Sequence, residues 1–186
     1  MIMLSNPLPP LLEIYKVTED SFKIAKRAIK TQNPKERPRL LQRTDISIYP
    51  VDEAEHLIEK SQKKAEKLFV LAMWVDFDRF VRTYLLEKGK TLKTTVSPTT
   101  LGDSMYQHFR QQIEYWRTEE LLDALQEGLF QSDSNKKLIG NAKGLLKHRN
   151  WLAHKNPDNK PVDKIPRPQS AYDTLNAIIN VLLLNL

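Results

Sequence analysis

The sequence contains no cysteine among its 186 residues. Disulfides, thiolate metal sites and a cysteine nucleophile are therefore excluded, and no oxidising compartment is required. Long apolar runs are also missing, since the longest, residues 178–186, is too short to span a bilayer and contains two asparagines. Residues 1–12 contain no Lys or Arg and three prolines, which is unlike a signal peptide. We therefore expect a cytoplasmic protein with no membrane partner.

Glycine is scarce as well, with five residues, and apolar side chains recur three and four positions apart along most of the chain. This period favours helices over strands, so we expect an all-α protein. Thr18, Thr118 and Ser170 are predicted N-caps, because their hydroxyls can accept from the first free N–H groups of a helix. The predicted helices cover residues 18–31, 52–88, 103–116, 118–130, 135–155 and 170–186.

The helix predicted over residues 52–88 would be about 55 Å long. Such a rod must bend, break or extend past the core. Before it, residues 38–50 lie between two prolines and contain Ile46, Ile48 and Tyr49 in alternation, so they are predicted to be a short extended arm. Residues 157–168 hold four prolines and are predicted to be a loop. We therefore divide the chain into an N-terminal arm with a short basic helix, residues 1–50, and a helical bundle, residues 51–186.

The positive charge of the chain is local. Lys and Arg number 29 against 23 Asp and Glu, for a net charge of +6. Residues 136–155 contain six basic residues and no acid, whereas residues 119–133 contain five acids and no base. A second run, residues 23–43, has eight basic residues and one acid. Local positive charge attracts polyanions, so nucleic acid is the expected partner, although a solvated helix face has the same composition.

Several motifs that could carry chemistry are incomplete. Residues 148–150 (His-Arg-Asn) lack the Asp base of a kinase catalytic loop, and residues 140–144 lack the spacing of a phosphate-binding P-loop. Glu53 and His56 have the spacing found in di-iron bundles, but the second copy of that motif is missing. We therefore expect no metal and no cofactor.

One polar motif remains, Arg149-Asn150-x-x-x-His154, near the end of a predicted helix in the most basic stretch. It is expected by chance only about 0.01 times in a chain of this composition. On a helix Asn150 and His154 lie about 40° apart and share a face, whereas Arg149 lies about 140° from His154. Arg149 would reach the shared face through its long side chain, or because the helix loosens before Pro157.

These three side chains suit cleavage of RNA by its own 2′-hydroxyl, a reaction that needs no metal. His154 can accept or donate a proton near neutral pH, and Arg149 can stabilise charge on the phosphoryl oxygens. Asn150 can orient either the histidine or the ribose. A structural reading stays open, in which Arg149 caps helix carbonyls, His154 adds positive charge at the helix C-terminus and Asn150 is a surface residue.

The motif, followed by a loop and a last apolar helix, resembles the HEPN superfamily (higher eukaryotes and prokaryotes nucleotide-binding). The resemblance covers about residues 52–186 and includes residues 77–82 (Phe-Asp-Arg-Phe-Val-Arg), which are similar to an acidic-aromatic segment of an earlier HEPN helix. It implies an all-α bundle and a homodimer that brings two motifs into one cleft. It also implies a metal-independent endoribonuclease, and many HEPN proteins are toxins or phage-defence effectors.

By this resemblance Arg149 and His154 match the catalytic pair, Asn150 matches the polar residue beside the Arg, and Asp78 matches a supporting acid. HEPN toxins paired with a nucleotidyltransferase antitoxin commonly carry Tyr two residues after the His, but this position is Asn156 here. Control by adenylylation is therefore not expected, whereas a cognate antitoxin stays open. The predicted RNA-binding residues are Lys147, His148 and Lys155.

Two other functions stay open at this stage. The first is a non-catalytic RNA- or protein-binding bundle, because some HEPN proteins are adaptors, and it would use the same basic face. The second is an antitoxin or scaffold that dimerises through the apolar residues 178–184. The leading hypothesis is the homodimeric endoribonuclease, which would leave 2′,3′-cyclic phosphate ends.

Overall fold

The computed structural model describes residues 4–33, 35–154 and 166–186, without the side chains of residues 153 and 154. All regular structure in these ranges is helical, which confirms the all-α prediction. Most of the loop predicted over residues 157–168 lies outside the described residues. The helices are α1 (Leu8–Lys30), α2 (Glu36–Leu41), α3 (Val51–Gly89), α4 (Leu92–Thr95), α5 (Thr99–Gln112), α6 (Thr118–Gly128), α7 (Asp133–His154) and α8 (Pro168–Leu184), with a short 3₁₀ helix at Asp45–Ile48.

Helix α3 is the central helix of the molecule, against which several other helices pack. Its 39 residues form one continuous helix of about 58 Å, as predicted, so the rod extends past the main core instead of breaking. One face of the C-terminal half, from Val70 to Tyr84, is buried in the main core. The N-terminal half contributes Ala54 and Ile58 to a second, smaller cluster, which it shares with the end of α1 and with α2.

Helix α8 fills the centre of the main core. Ile178, Ile179 and Leu182 are 0% exposed, because α3, α7 and α1 pack around this helix. The prediction that the apolar end is buried is confirmed for Leu182 and in part for Leu183, whereas Leu184 is 87% exposed. The alternative that residues 178–184 form a dimerisation surface is therefore wrong for most of their apolar side chains, which already contact their own chain. No helix in the described ranges has the length and apolar character needed to cross a membrane.

Helix α1 begins ten residues before the predicted start at Thr18. Pro9 and Pro10 lie in its first turn, where a missing N–H breaks no helical hydrogen bond, and Asn6 Oδ1 accepts from the N–H of Leu8 at 3.0 Å. The predicted cap at Thr18 is wrong, because its hydroxyl donates to the carbonyl of Ile14 inside the helix. The prolines of residues 1–12 therefore lie at the start of a helix that the sequence analysis did not extend to them.

The N-terminal segment is part of the bundle and not a separate arm. Leu8 and Leu12 are buried in the main core, and Asn6 Nδ2 donates to Asn176 Oδ1 of α8 at 2.6 Å. The extended segment predicted over residues 38–50 is wrong too, since these residues form α2 and the 3₁₀ helix. Leu41, at the end of α2, is buried, and Ile46 of the 3₁₀ helix packs beside it in the second cluster. The apolar residues of this segment therefore lie on helical turns and not on a strand.

Other helix starts differ from the predictions by one to four residues, the largest difference being in α5, which begins at Thr99 and not at residue 103. Helix α6 is capped by Arg117, whose N–H donates to the carboxylate of Glu120 at 2.6 Å, so Thr118 is its first helical residue. Helix α8 begins at Pro168, and Ser170 lies within its first turn. The end of α3 at Gly89 matches the prediction, and a Cβ there would meet the ring of Phe109 at 2.6 Å.

Gly102 permits the close crossing of α4 and α5. A Cβ at this position would lie 2.4 Å from the carbonyl oxygen of Leu92, which is a backbone atom that a rotamer change cannot move. We predict that Gly102→Ala lowers the free energy of unfolding by about 1–3 kcal/mol. The matched control is Gly140→Ala in α7, where nothing lies within 4 Å. The control should raise the free energy by about 0.5–1 kcal/mol, because alanine is the better helix former.

Urea denaturation of both variants measures this difference. Equal effects of the two substitutions would show that α4 and α5 do not cross as closely as described.

Candidate functional site

The motif lies on the last two turns of α7, which runs without a break from Asp133 to His154. The predicted helix is confirmed through the whole motif and begins two residues earlier than expected. Positions 150 and 154 are therefore one turn apart on the same helix face. The side chain of His154 and all of Lys155 lie outside the described residues.

The guanidinium of Arg149 reaches across the helix to Asn150. Arg149 Nη1 donates to Asn150 Oδ1 at 2.9 Å, although the two residues leave the helix axis about 100° apart. Arg149 is partly exposed and Asn150 is exposed, so both polar groups face solvent. A long arginine side chain can span this angle between neighbouring positions. The contact places the guanidinium beside the face that carries position 154.

The orientation of α7 follows from its apolar side. Ile139 and Ala142 are 0% exposed and Leu146 is 7% exposed, and all three belong to the main core. Lys143 forms an ion pair with Asp123 of α6, so part of the positive charge of this helix is neutralised. Lys147, which the sequence analysis assigns to RNA binding, is exposed and keeps its place on the solvent side of α7.

His148 does not lie where the sequence analysis places it. Its side chain is 1% exposed, and neither ring nitrogen has a hydrogen-bond partner among the described residues. The ring packs near Trp151, with 6.0 Å between the centroids. The prediction that His148 contacts RNA is therefore wrong in this structure. Burial lowers the pKa of His148 from its ordinary value, and the charge of Lys67 on α3 lowers it further.

Asp78 is occupied by contacts away from α7. Its carboxylate accepts from Arg82 Nε at 2.7 Å and from the hydroxyl of Thr118 at 2.9 Å. Arg82 also donates to the carbonyls of Ile113 and Trp116. This network ties α3 to the segment between α5 and α6. In the described part of the chain, no hydrogen bond joins Asp78 to Arg149 or Asn150, so its contacts support the bundle and not the motif.

Lys67 of α3 was not predicted as a site residue. Its charge contributes, after burial, to the lowered pKa of His148, the residue before Arg149. The signal was present in residues 60–67, where lysines recur at three, four and seven positions. That spacing places lysines on one face of a helix.

Comparison of the chain with family models, with curated proteins and with solved structures found no match. The resemblance to HEPN proteins therefore rests on the motif itself and on its setting, which is the end of a basic helix that precedes a last, buried apolar helix in an all-helical bundle.

The buried His148 predicts a pH dependence of stability. Its folded-state pKa lies below the ordinary value near 6.5, so the unfolded chain binds a proton more readily. This contribution to stability is present above about pH 6.5 and is lost as the pH falls toward the folded-state pKa. We predict that His148→Phe, which keeps an aromatic ring but cannot titrate, loses less stability than the wild type between pH 7.5 and pH 5.

Thermal unfolding at the two pH values gives this comparison. The same substitution at the exposed His108 tests whether the loss of any histidine has this effect. Parallel pH curves for His148→Phe and the wild type would contradict burial of a neutral imidazole.

The Asp78 network predicts a structural effect. We expect Asp78→Ala to lower the free energy of unfolding by about 1–3 kcal/mol, because the partly buried Arg82 loses its carboxylate. Asp76→Ala is the matched control on the same helix, since Asp76 makes no side-chain hydrogen bond with another described residue. Urea denaturation of both variants checks this. If Asp78→Ala unfolds with the same free energy as the wild type, the hydrogen bonds of Asp78 and Arg82 do not stabilise the packing of the segment between α5 and α6 on α3.

Proposed function

We propose that this chain is a metal-independent endoribonuclease of the HEPN type, which acts as a homodimer and leaves a 2′,3′-cyclic phosphate. The observation that carries the proposal is the contact between Arg149 and Asn150 at 2.9 Å on an exposed face of α7. It gathers a permanent cation and a neutral amide beside the position of His154, at the end of a helix whose other side is anchored in the core.

In the proposed reaction, the 2′-oxygen of the ribose attacks the adjacent phosphorus and the bond to the 5′-oxygen breaks. A base removes the proton of the 2′-hydroxyl, and an acid gives a proton to the departing 5′-oxygen. Histidine suits either role, because its ordinary pKa lies near 6.5. Negative charge grows on the non-bridging oxygens, where the guanidinium of Arg149 can donate two parallel hydrogen bonds.

Asn150 has a positioning role in this proposal. Its Oδ1 accepts from Arg149 Nη1, which restrains the guanidinium, and its Nδ2 is a donor suited to a ribose hydroxyl or a phosphate oxygen. Because an amide does not ionise near neutral pH, this positioning would be the same before and after the histidine changes its protonation state.

The chemistry also favours two copies of the chain. The reaction needs one proton acceptor and one proton donor, whereas one motif contains a single histidine. Two motifs related by a twofold axis would supply both groups in one cleft. A toxin or phage-defence role is part of the proposal, and a cognate antitoxin would be a second partner. Asn156 stands where adenylylated HEPN toxins carry Tyr, so this form of control is not proposed.

The test is cleavage of an end-labelled single-stranded RNA in EDTA, with the ends of the products identified. The wild type should produce 2′,3′-cyclic phosphate ends. Arg149→Ala and His154→Ala should each lower the rate by about 10²-fold or more, because each removes a group that acts in the transition state. Arg110→Ala, at an exposed arginine of α5, is the matched control and should cleave at the wild-type rate.

Wild-type rates in both motif variants would show that the proposal is wrong. If the folded wild type binds RNA but does not cleave it, the non-catalytic RNA-binding bundle is the better assignment. Growth inhibition on expression, relieved by His154→Ala, would support the toxin role.

A further inference from the structure

Four lysines line one face of the N-terminal half of α3, and we call them the α3 lysine stripe. With about 100° between successive residues, they lie within roughly 100° of the helix circumference. Three of them are exposed and the last is partly exposed. The members of the stripe are Lys60, Lys63, Lys64 and Lys67.

The stripe lies on the side of α3 that other helices leave uncovered. In this half of α3, the buried Ala54 and Ile58 face α1 and α2. Two acids of the same half are engaged on the α1 side. Glu55 pairs with Lys30 of α1, and Glu66 accepts from Gln62, whose Oε1 accepts from Lys26 of α1. Within the described ranges, no carboxylate lies within 4 Å of any stripe lysine. The stripe lysines therefore form no close ion pair in the described part of the chain, with Glu59 and Glu66 each about one turn from Lys63 on the same helix.

The stripe ends beside the motif helix. Lys67 is its last member, and its charge lowers the pKa of His148, which directly precedes Arg149. Helices α3 and α7 are also in direct contact. A polyanion that binds along the stripe and continues past Lys67 would therefore reach α7 near its end.

The length of the stripe suits a nucleic-acid strand. From Lys60 to Lys67 the helix rises about 10 Å, which is close to three steps of about 3.4 Å in a stacked strand. Four cations over this distance can neutralise three or four successive phosphates and release their counterions. A linear array of this spacing fits a strand better than the broad, two-dimensional charge of an anionic membrane.

We propose that the α3 lysine stripe binds the phosphates of single-stranded RNA next to the cleavage site. The proposal rests on the proposed function, because it concerns the substrate of the same site. It assigns binding to α3 and chemistry to α7, so the two activities can be separated by substitution.

The experiment compares two triple variants of the full chain that lose the same charge. The stripe variant carries Lys60→Gln, Lys63→Gln and Lys64→Gln, all at exposed positions. The control variant carries Lys16→Gln, Lys90→Gln and Arg110→Gln, which are exposed and lie outside both basic runs of the sequence. Binding of a fluorescent 20-nucleotide single-stranded RNA is titrated at several salt concentrations, and thermal unfolding verifies that both variants are folded.

The stripe variant should bind RNA at least about 10-fold more weakly at low salt. Its slope of log K against log salt should shrink by up to about 2, since each lost phosphate contact removes about 0.7 from the slope for a single strand. The control variant should bind with the wild-type slope. In cleavage assays, the KM of the stripe variant should be higher than that of the wild type, and its kcat should be the same.

Equal weakening in both triple variants would overturn the proposal, because the effect would then come from net charge alone. A stripe variant with wild-type RNA affinity, or one that loses only binding to phosphatidylserine vesicles, would overturn it as well. The Arg149→Ala variant keeps the two proposals distinguishable, since it should lose cleavage by about 10²-fold or more while its salt slope shrinks by no more than the about 0.7 of one phosphate contact. A wild type that never cleaves but shows the stripe effect would contradict the proposed function and leave the stripe assignment standing.

Discussion

The position of the motif depends on the apolar stripe along α7. Ile139, Ala142 and Leu146 are buried in the main core, and a helix cannot turn about its axis without exposing them. At about 25 cal/mol per Å² of apolar surface, such a rotation would cost several kcal/mol, more than a surface hydrogen bond could offset. The register of α7 therefore decides that Asn150 faces solvent and that His148 faces inward. Arg149 lies between them and reaches solvent through its flexible side chain.

Because α3 is long, the basic residues on its N-terminal half lie apart from those at the end of α7. A bundle of shorter helices covers only the C-terminal half of this helix, whereas its N-terminal half is packed on one side by α1 and α2. The uncovered side must be polar, and in this chain it carries four lysines within residues 60–67, with exposed acids such as Glu53 and Glu59 on the same half of the helix. Basic side chains thus lie at two places in the fold, at the end of α7 and on α3. The two helices are in contact, and the charge of Lys67 contributes to the lowered pKa of His148.

The predictions succeeded where helical period and length carried the information. The long α3, the motif helix α7 and the buried end of α8 each have many apolar residues in one stripe, so local pattern and tertiary packing agree. They failed where a short element needs a neighbour to form. Helix α2 has six residues, too few for a stable isolated helix, and it exists because Leu41 is buried against the second cluster. Pro9 and Pro10 were ambiguous, because proline both ends helices and begins them.

The amino-acid order was sufficient for the all-helical class and for the spacing of Arg149, Asn150 and His154, because both are properties of neighbours along the chain. It could not show that His148 is buried or that Asp78 contacts Thr118, since these depend on which helices pack together. Sequence spacing gives the relative angles of side chains around one helix. Only the packing of α3, α6 and α8 around α7 determines which of those angles face water.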